Sequence, residues 1–200
     1  MEGRGGVARF LGRHLMLKRE WGELLLEGRK RATIRLGVVR PKYGELIVHS
    51  GGRPIAKVRV RAVRVKRVGE LSDDDARLDG FGSREELLEA LRRAYGSISM
   101  DDIVTIIELE LVKRLDKLES DDPYMGLEPA DIARLALRYL RGDLSPEDEK
   151  IMRSLTATNS IRATAQRLYG SPLNRARVRR VLRRALRLLV ERGLLGGTPI

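Results

Sequence analysis

Three residues of this chain are spaced so that they can act on one ligand. Lys30, Thr33 and Arg35 stand in the stretch Gly28-Arg29-Lys30-Arg31-Ala32-Thr33-Ile34-Arg35, of the form G-x-K-x-x-T-x-R. Residues 31–36 alternate in character as a half-buried strand does. Thr33 and Arg35 then share one face, because side chains repeat every two residues along a strand. Lys30, in the turn before it, can reach the same mouth. An ammonium, a hydroxyl and a guanidinium gathered together suit a phosphate or a polarised carbonyl. With their neighbours they define an expected cleft of Arg29, Lys30, Arg31, Thr33 and Arg35. A plain solvated basic turn has the same spacing, and the pattern alone leaves both readings open.

A second group of cations lies near the C-terminus. Arg175, Arg179, Arg183 and Arg187 repeat every four residues, and Arg177, Arg180 and Arg184 widen the basic surface. Like charges at i,i+4 destabilise an isolated helix by about 0.2–0.5 kcal/mol per pair. Residues 160–200 carry 10 Arg against the single acid Glu191, a net of +9, whereas residues 117–159 carry a net of −3 and residues 1–116 a net of +6. The last segment is too one-sided for a solvated ion-pair face and needs counterions or a polyanion. The seven arginines are therefore expected to contact nucleic-acid backbone. The competing readings are a solvated basic helix, or one docked on the acidic 117–159 segment. Aromatic residues are few, one Trp, two Phe and five Tyr. Backbone contact by arginine is accordingly better supported than base stacking.

The elements that position these residues can be read in outline. Residues 14–18 suit a strand, and residues 20–27 a short helix stopped by Gly28. Residues 44–50 and 53–67 flank Gly51-Gly52, a hairpin signal. The apolar phase of the second arm slips after Ala62, which predicts a bulge or a sharp bend of the kind that closes a barrel. Ser72 is placed to cap a helix opening with three Asp, and Ser83 a second helix ending at Gly96. Residues 102–112 form a last strand. Residues 116–126 are polar and read as a linker, after which every signal is helical. Pro129 opens one helix, which Gly142 ends. Ser145 caps another, a third follows Ser160 and stops at Gly170, and Asn174 caps a long helix reaching Arg192 before Gly193. Ser160–Arg192 resembles a helix-turn-helix. Two domains are expected, at 1–115 and 127–200.

Composition bounds the function. The chain has 200 residues, 42% hydrophobic and 34% charged, with no cysteine, so disulfides and thiolate metal sites are excluded. His14 and His49 show no carboxylate spacing that would complete a zinc site. No apolar run approaches the roughly 18 residues of a membrane span, and the N-terminus lacks the pattern of a secretory signal. A cytoplasmic protein is expected, with no membrane association, no metal and no cofactor. One Gln and two Asn against 68 charged residues is a thermophile's composition.

The motif and its surroundings resemble a known family. G-x-K-x-x-T-x-R after a short helix, a Gly-containing hairpin, the acidic helix start Ser72-Asp73-Asp74-Asp75, the turn Asp79-Gly80-Phe81 and the final strand 102–110 are similar to the ASCH domain, over roughly residues 12–113. The resemblance implies an α+β fold: a small PUA-like β-barrel with flanking helices, followed here by an all-helical, helix-turn-helix-like domain. It implies an RNA-binding module. Some members are amidohydrolases that deacetylate N4-acetylcytidine, where a Lys, a Thr and a Glu carry the chemistry. Lys30 and Thr33 match the first two. The acid falls near Asp79, one methylene shorter than the family's Glu. Such catalysis needs a neutral Lys30 to activate Thr33, and Arg29, Arg31 and Arg35 would favour that form. The expected partner is nucleic acid, RNA before DNA. The alternatives are a hydrolase (amidohydrolase or ribonuclease) using Lys30, Thr33 and Asp79, and a DNA-binding regulator using the C-terminal helices.

Overall fold

A computed structural model describes residues 8–118 and 122–196 of the chain. Two compact units divide it, Met1–Leu115 and Asp116–Ile200. Among the described residues, no helix is long and apolar enough to cross a membrane.

The first unit opens with strands β1 (Arg9–Leu11) and β2 (His14–Leu17), helix α1 (Arg19–Leu26), then β3 (Ala32–Leu36), β4 (Val39–Pro41), β5 (Glu45–Ser50) and β6 (Arg53–Arg67). Helices α2 (Asp73–Asp79) and α3 (Arg84–Tyr95) precede β7 (Ile103–Arg114). Five strands form one curled sheet in the order β2-β5-β6-β7-β3, parallel between β2 and β5 and antiparallel elsewhere. Gly51 and Gly52 have φ of +58° and +81°, as a two-residue hairpin turn of the mirror-image type requires. The β6–β7 register shifts between Val60 and Ala62, where the apolar phase slips, and also between Lys57 and Val58. The parallel pair β1–β4 was not foreseen from the sequence, since three-residue strands carry too few positions to show a period.

Strand β7 is buried on both faces, which explains its nearly continuous apolar run. Ile107 and Leu109 join a core with Leu25 of α1 and Leu46 and Val48 of β5, while Val104 and Ile106 join another with Ala76 of α2 and Leu87 and Leu91 of α3. Thr105, between Val104 and Ile106, is fully buried and satisfied: its hydroxyl donates to Gly37 O at 2.7 Å and accepts from Val39 N at 2.9 Å. Both expected caps of this unit are made. Ser72 accepts from Asp75 N in a capping box, and Ser83 accepts from Glu86 N.

The second unit comprises α4 (Pro129–Tyr139), α5 (Pro146–Thr158), α6 (Ile161–Tyr169) and α7 (Arg175–Glu191). Ser145 caps α5 and Ser160 caps α6, and Gly170 ends α6 at φ +69°. Three expectations need correction. Helix α4 ends at Tyr139 with Leu140 as its cap, so Gly142 lies in the turn beyond it; the Leu140 side chain is fully buried and fixes the end earlier. Asn174 precedes α7 but makes no side-chain cap, because it closes a single 3₁₀ turn, Pro172–Asn174, that runs into the helix. The expected linker is partly core: Met125 is 2% exposed, in a turn where Asp122 Oδ1 accepts from Tyr124 N and Gly126 N. Residues 119–121 of that linker lie outside the described residues.

Gly22 is the tightest point of α1. A Cβ there would lie 2.6 Å from Ser50 Oγ and 2.9 Å from Ile55 Cδ1. Alanine would gain up to about 1 kcal/mol in helix propensity. Overpacking a rigid site costs about 1–3 kcal/mol. Gly22→Ala should therefore lower the urea midpoint with the slope unchanged. A raised midpoint would show that α1 can move off the sheet freely.

Candidate functional site

The outer strands of the curled sheet are β2 and β3, and no ladder joins them. A cavity of about 310 Å³ is lined by residues of both: Met16 and Leu17 from β2, and Thr33, Ile34 and Arg35 from β3. Trp21 of α1, Asp79 at the end of α2, Phe81, and Leu91 and Tyr95 of α3 complete its walls. The site thus occupies the open seam of a half-barrel, with a helix on either side.

Its floor is a buried ion pair. Lys30 and Asp79 are each 5% exposed. Lys30 Nζ donates to Asp79 O at 3.0 Å and to the Asp79 carboxylate. The second carboxylate oxygen accepts from Ile34 N at 3.2 Å. That N–H points off the free edge of β3, where it would otherwise lack a partner. Two further bonds hold this corner, from Lys30 N to Leu24 O at 3.0 Å and from Arg31 N to Leu78 O at 2.7 Å. Gly80 follows at φ +97°, a left-handed helix end, with space for a Cβ closed by Leu24 Cδ1 at 3.2 Å.

Burial dominates the titration of both groups. It lowers the Lys30 ammonium below its ordinary 10.5, against the attraction of Asp79, and Arg35 adds a smaller push in the same direction. It raises the Asp79 carboxyl above its ordinary 3.8, against the pull of Lys30, the Ile34 N–H and Arg35. The Lys30 shift runs in the direction anticipated from the sequence, but desolvation drives it first and one arginine, Arg35, only secondarily.

Of the residues singled out in the sequence, Lys30, Thr33, Arg35 and Asp79 line the cavity together. Thr33 is 4% exposed, and no described residue hydrogen-bonds its hydroxyl. Arg35 Nη2 reaches Met16 O at 3.5 Å, across the seam. Arg29 and Arg31 do not join them: both are exposed, and Arg29 Nε donates to Glu27 at 2.8 Å. The sequence reading missed the aromatic wall. Trp21 and Phe81 lie with ring centroids 4.6 Å apart, and Lys30 Nζ sits 5.2 Å from the Trp21 ring. Their scarcity along the chain concealed that Trp21, Phe81 and Tyr95 converge on one cavity. Lys18, Arg93 and Glu20 also line it.

The arginines of α7 are all exposed. Two are paired within the unit, Arg177 with Glu147 and Arg184 with the buried Asp148. The reading of seven equivalent backbone contacts thus needs dividing. The chain's two histidines meet, His14 Nδ1 lying 2.8 Å from His49 Nε2. Among the described residues, no group of three or more His, Asp or Glu gathers as a metal site.

The sequence model of the ASCH domain matches residues 9–113. No curated protein matches the chain in sequence. Among solved structures, it is similar to an ASCH domain from Lactobacillus crispatus, at 20% identity over 52% of this chain and 80% of that one, with a TM-score of 0.45. A protein from Enterococcus faecalis is similar at 23% identity, over 48% of this chain and 69% of its own, with a TM-score of 0.40. A mutant ASCH protein from Zymomonas mobilis is similar at 14% identity, over 52% and 70%, with a TM-score of 0.41.

The ion pair makes a pH prediction. With its folded pKa raised, Asp79 contributes stability that is full below its unfolded value and falls as pH climbs through the folded one. With its folded pKa lowered, Lys30 contributes stability that grows as pH climbs from the folded value towards 10.5. The pair therefore produces a dip in stability between the two titrations. Urea unfolding from roughly pH 4 to pH 10 should show that dip, and the double variant K30M/D79L should lack it. Parallel profiles for the two proteins would mean that burial does not dominate the pair.

Proposed function

The chain belongs to the ASCH domain family, and we propose that its cleft binds RNA by taking in an unpaired nucleotide. One observation carries this reading. The paired rings of Trp21 and Phe81 line the same cavity as Lys30, Thr33 and Arg35. Sequence-specific RNA recognition depends on splayed bases stacked against aromatic or guanidinium planes and hydrogen-bonded at their edges. Here the rings supply the stacking surface. Arg35, with Lys18 and Arg93 beside it, supplies cations for the flanking phosphates. Thr33 offers a buried hydroxyl to a base edge or a 2′-hydroxyl. RNA processing or gene regulation is the setting this activity fits.

A hydrolase is the second reading, favoured by the lowered Lys30 ammonium and the Thr33 hydroxyl that no described residue engages. A neutral Lys30 would take the Thr33 proton as the oxygen attacks the acyl carbon of an N4-acetylcytidine-like amide, and would return it to the N4 amine as the C–N bond breaks. Water would then hydrolyse the acetyl-threonine ester and release acetate. Against it stands Asp79, which is committed to Lys30 and to Ile34 N, and so holds the base as half of an ion pair.

The chain has one tryptophan, and it lines the cleft. Single-stranded RNA should quench Trp21 fluorescence saturably, and a duplex of the same sequence should do so far less. Arg35→Ala should weaken binding about 10- to 100-fold, the value of a charge-assisted bond of about 1.5–3 kcal/mol. Thr33→Val should change binding by at most about tenfold. Acetate release from N4-acetylcytidine that Thr33→Val abolishes would establish the hydrolase instead. RNA binding with no change at Trp21 would remove the cleft from the account.

A further inference from the structure

The arginines of α7 form two sets. Arg177 Nη2 lies 2.5 Å from Glu147 Oε1 and its guanidinium 4.9 Å from the Tyr169 ring centroid, while Arg184 pairs with Asp148, itself bonded to Ser145 Oγ at 2.7 Å. These two fasten α7 to the capped start of α5. Arg175, Arg179, Arg180, Arg183 and Arg187 are exposed and have no acidic partner among the described residues. The sets also differ in direction. At 3.6 residues per turn, the five unpaired arginines spread over an arc of roughly 140°, and Arg184 and Arg177 follow at its edge. Val178, Leu182, Ala185, Leu186, Leu189 and Val190 fill the buried side. Leu186 and Val190 fall within the angular range of the arc, so it is widest over the N-terminal half of α7 and narrows to the Arg183 and Arg187 side beyond it. No acid stands in the first turn of α7, so its positive end is not offset either.

We propose that this arc is a second nucleic-acid site, which holds the phosphate backbones of a B-form DNA duplex with α7 in the major groove. The five guanidinium groups cover about 18 Å of helix and repel one another, a disadvantage that a polyanion reverses. The width of the arc selects the partner. A single strand lying along the helix meets one side of it, whereas a helix in a groove has a backbone on each flank. An α-helix about 10–12 Å across fits a B-form major groove about 12 Å wide, and the deep, narrow A-form groove excludes it. Single-strand sites rely on aromatic platforms. The tyrosines of this unit, Tyr124, Tyr139 and Tyr169, are none of them exposed. Leu173, in the turn leading into α7, is 81% exposed and offers an apolar tip to a base methyl.

The test is a salt titration of the full chain on a DNA duplex of about 20 base pairs, read by fluorescence anisotropy. Five contacts predict a log–log slope of about −4.5, and R179Q/R183Q should reduce it to about −2.7. R180Q/R187Q, on the same arc, should do the same, which keeps the test valid if one double variant folds poorly. R184Q should lower the melting temperature and leave the slope unchanged. Arg35→Ala, which addresses the cleft, should leave duplex binding unchanged, so the two sites fail or succeed separately. No duplex binding, an unchanged slope in both double variants, or equal affinity for single-stranded DNA or duplex RNA would overturn the proposal.

Discussion

The buried contact between Lys30 and Asp79 is the constraint on which the first unit turns. It joins residues 49 apart in sequence and ties three elements at one point: the turn after α1, the last residue of α2 and the free edge of β3. An ammonium at the end of α2 also meets the negative pole of that helix. Two ionisable groups inside a protein are a costly arrangement, and replacing both with apolar residues is often neutral or stabilising. That such a pair lines a cavity points to use in recognition or chemistry more than to stability.

The cavity exists because the sheet does not close. β2 and β3 are its two outer strands, and the helices that cover its faces converge on the gap. Gly80 allows this convergence, since its left-handed backbone turns the chain sharply between Lys30 and Trp21, and a side chain there would press on Leu24. Phe81, the next residue, is thereby delivered against Trp21.

Positive charge serves different ends in the two units. On β6, the cations that alternate along the strand are neutralised at home: Arg61 by Glu110, Arg64 by Glu108, Lys66 by Asp75 and Arg67 by Asp101. A strand this basic says nothing about polyanions once those partners are in place. Among the described residues, only two of the seven arginines of α7 find acids. Local neutralisation, more than net charge, therefore separates a structural basic surface from one that needs a partner.

Sequence alone determined the signals that act within a few residues. Ser72, Ser83, Ser145 and Ser160 cap the helices they were expected to cap, Gly51-Gly52 turns the hairpin, and the phase slip at Ala62 marks a shifted register. Thr33 and Arg35 share the cavity lining, because a period of two is a property of the strand itself, and Lys30 joins them from the turn before it. Tertiary structure decided the rest. Arg29 and Arg31 flank the motif lysine yet point to solvent, since the turn after Gly28 is set by bonds to Leu24 O and Leu78 O. Trp21, Phe81 and Tyr95 are spread over 75 residues and meet only once α1 and α3 pack around the seam. Glu147 and Asp148 claim Arg177 and Arg184 but not their neighbours, because only the angle at which α5 meets α7 selects which arginines have an acid within reach. Caps, turns and periods are written into adjacent residues; convergence and pairing depend on distances that exist only after the chain has folded.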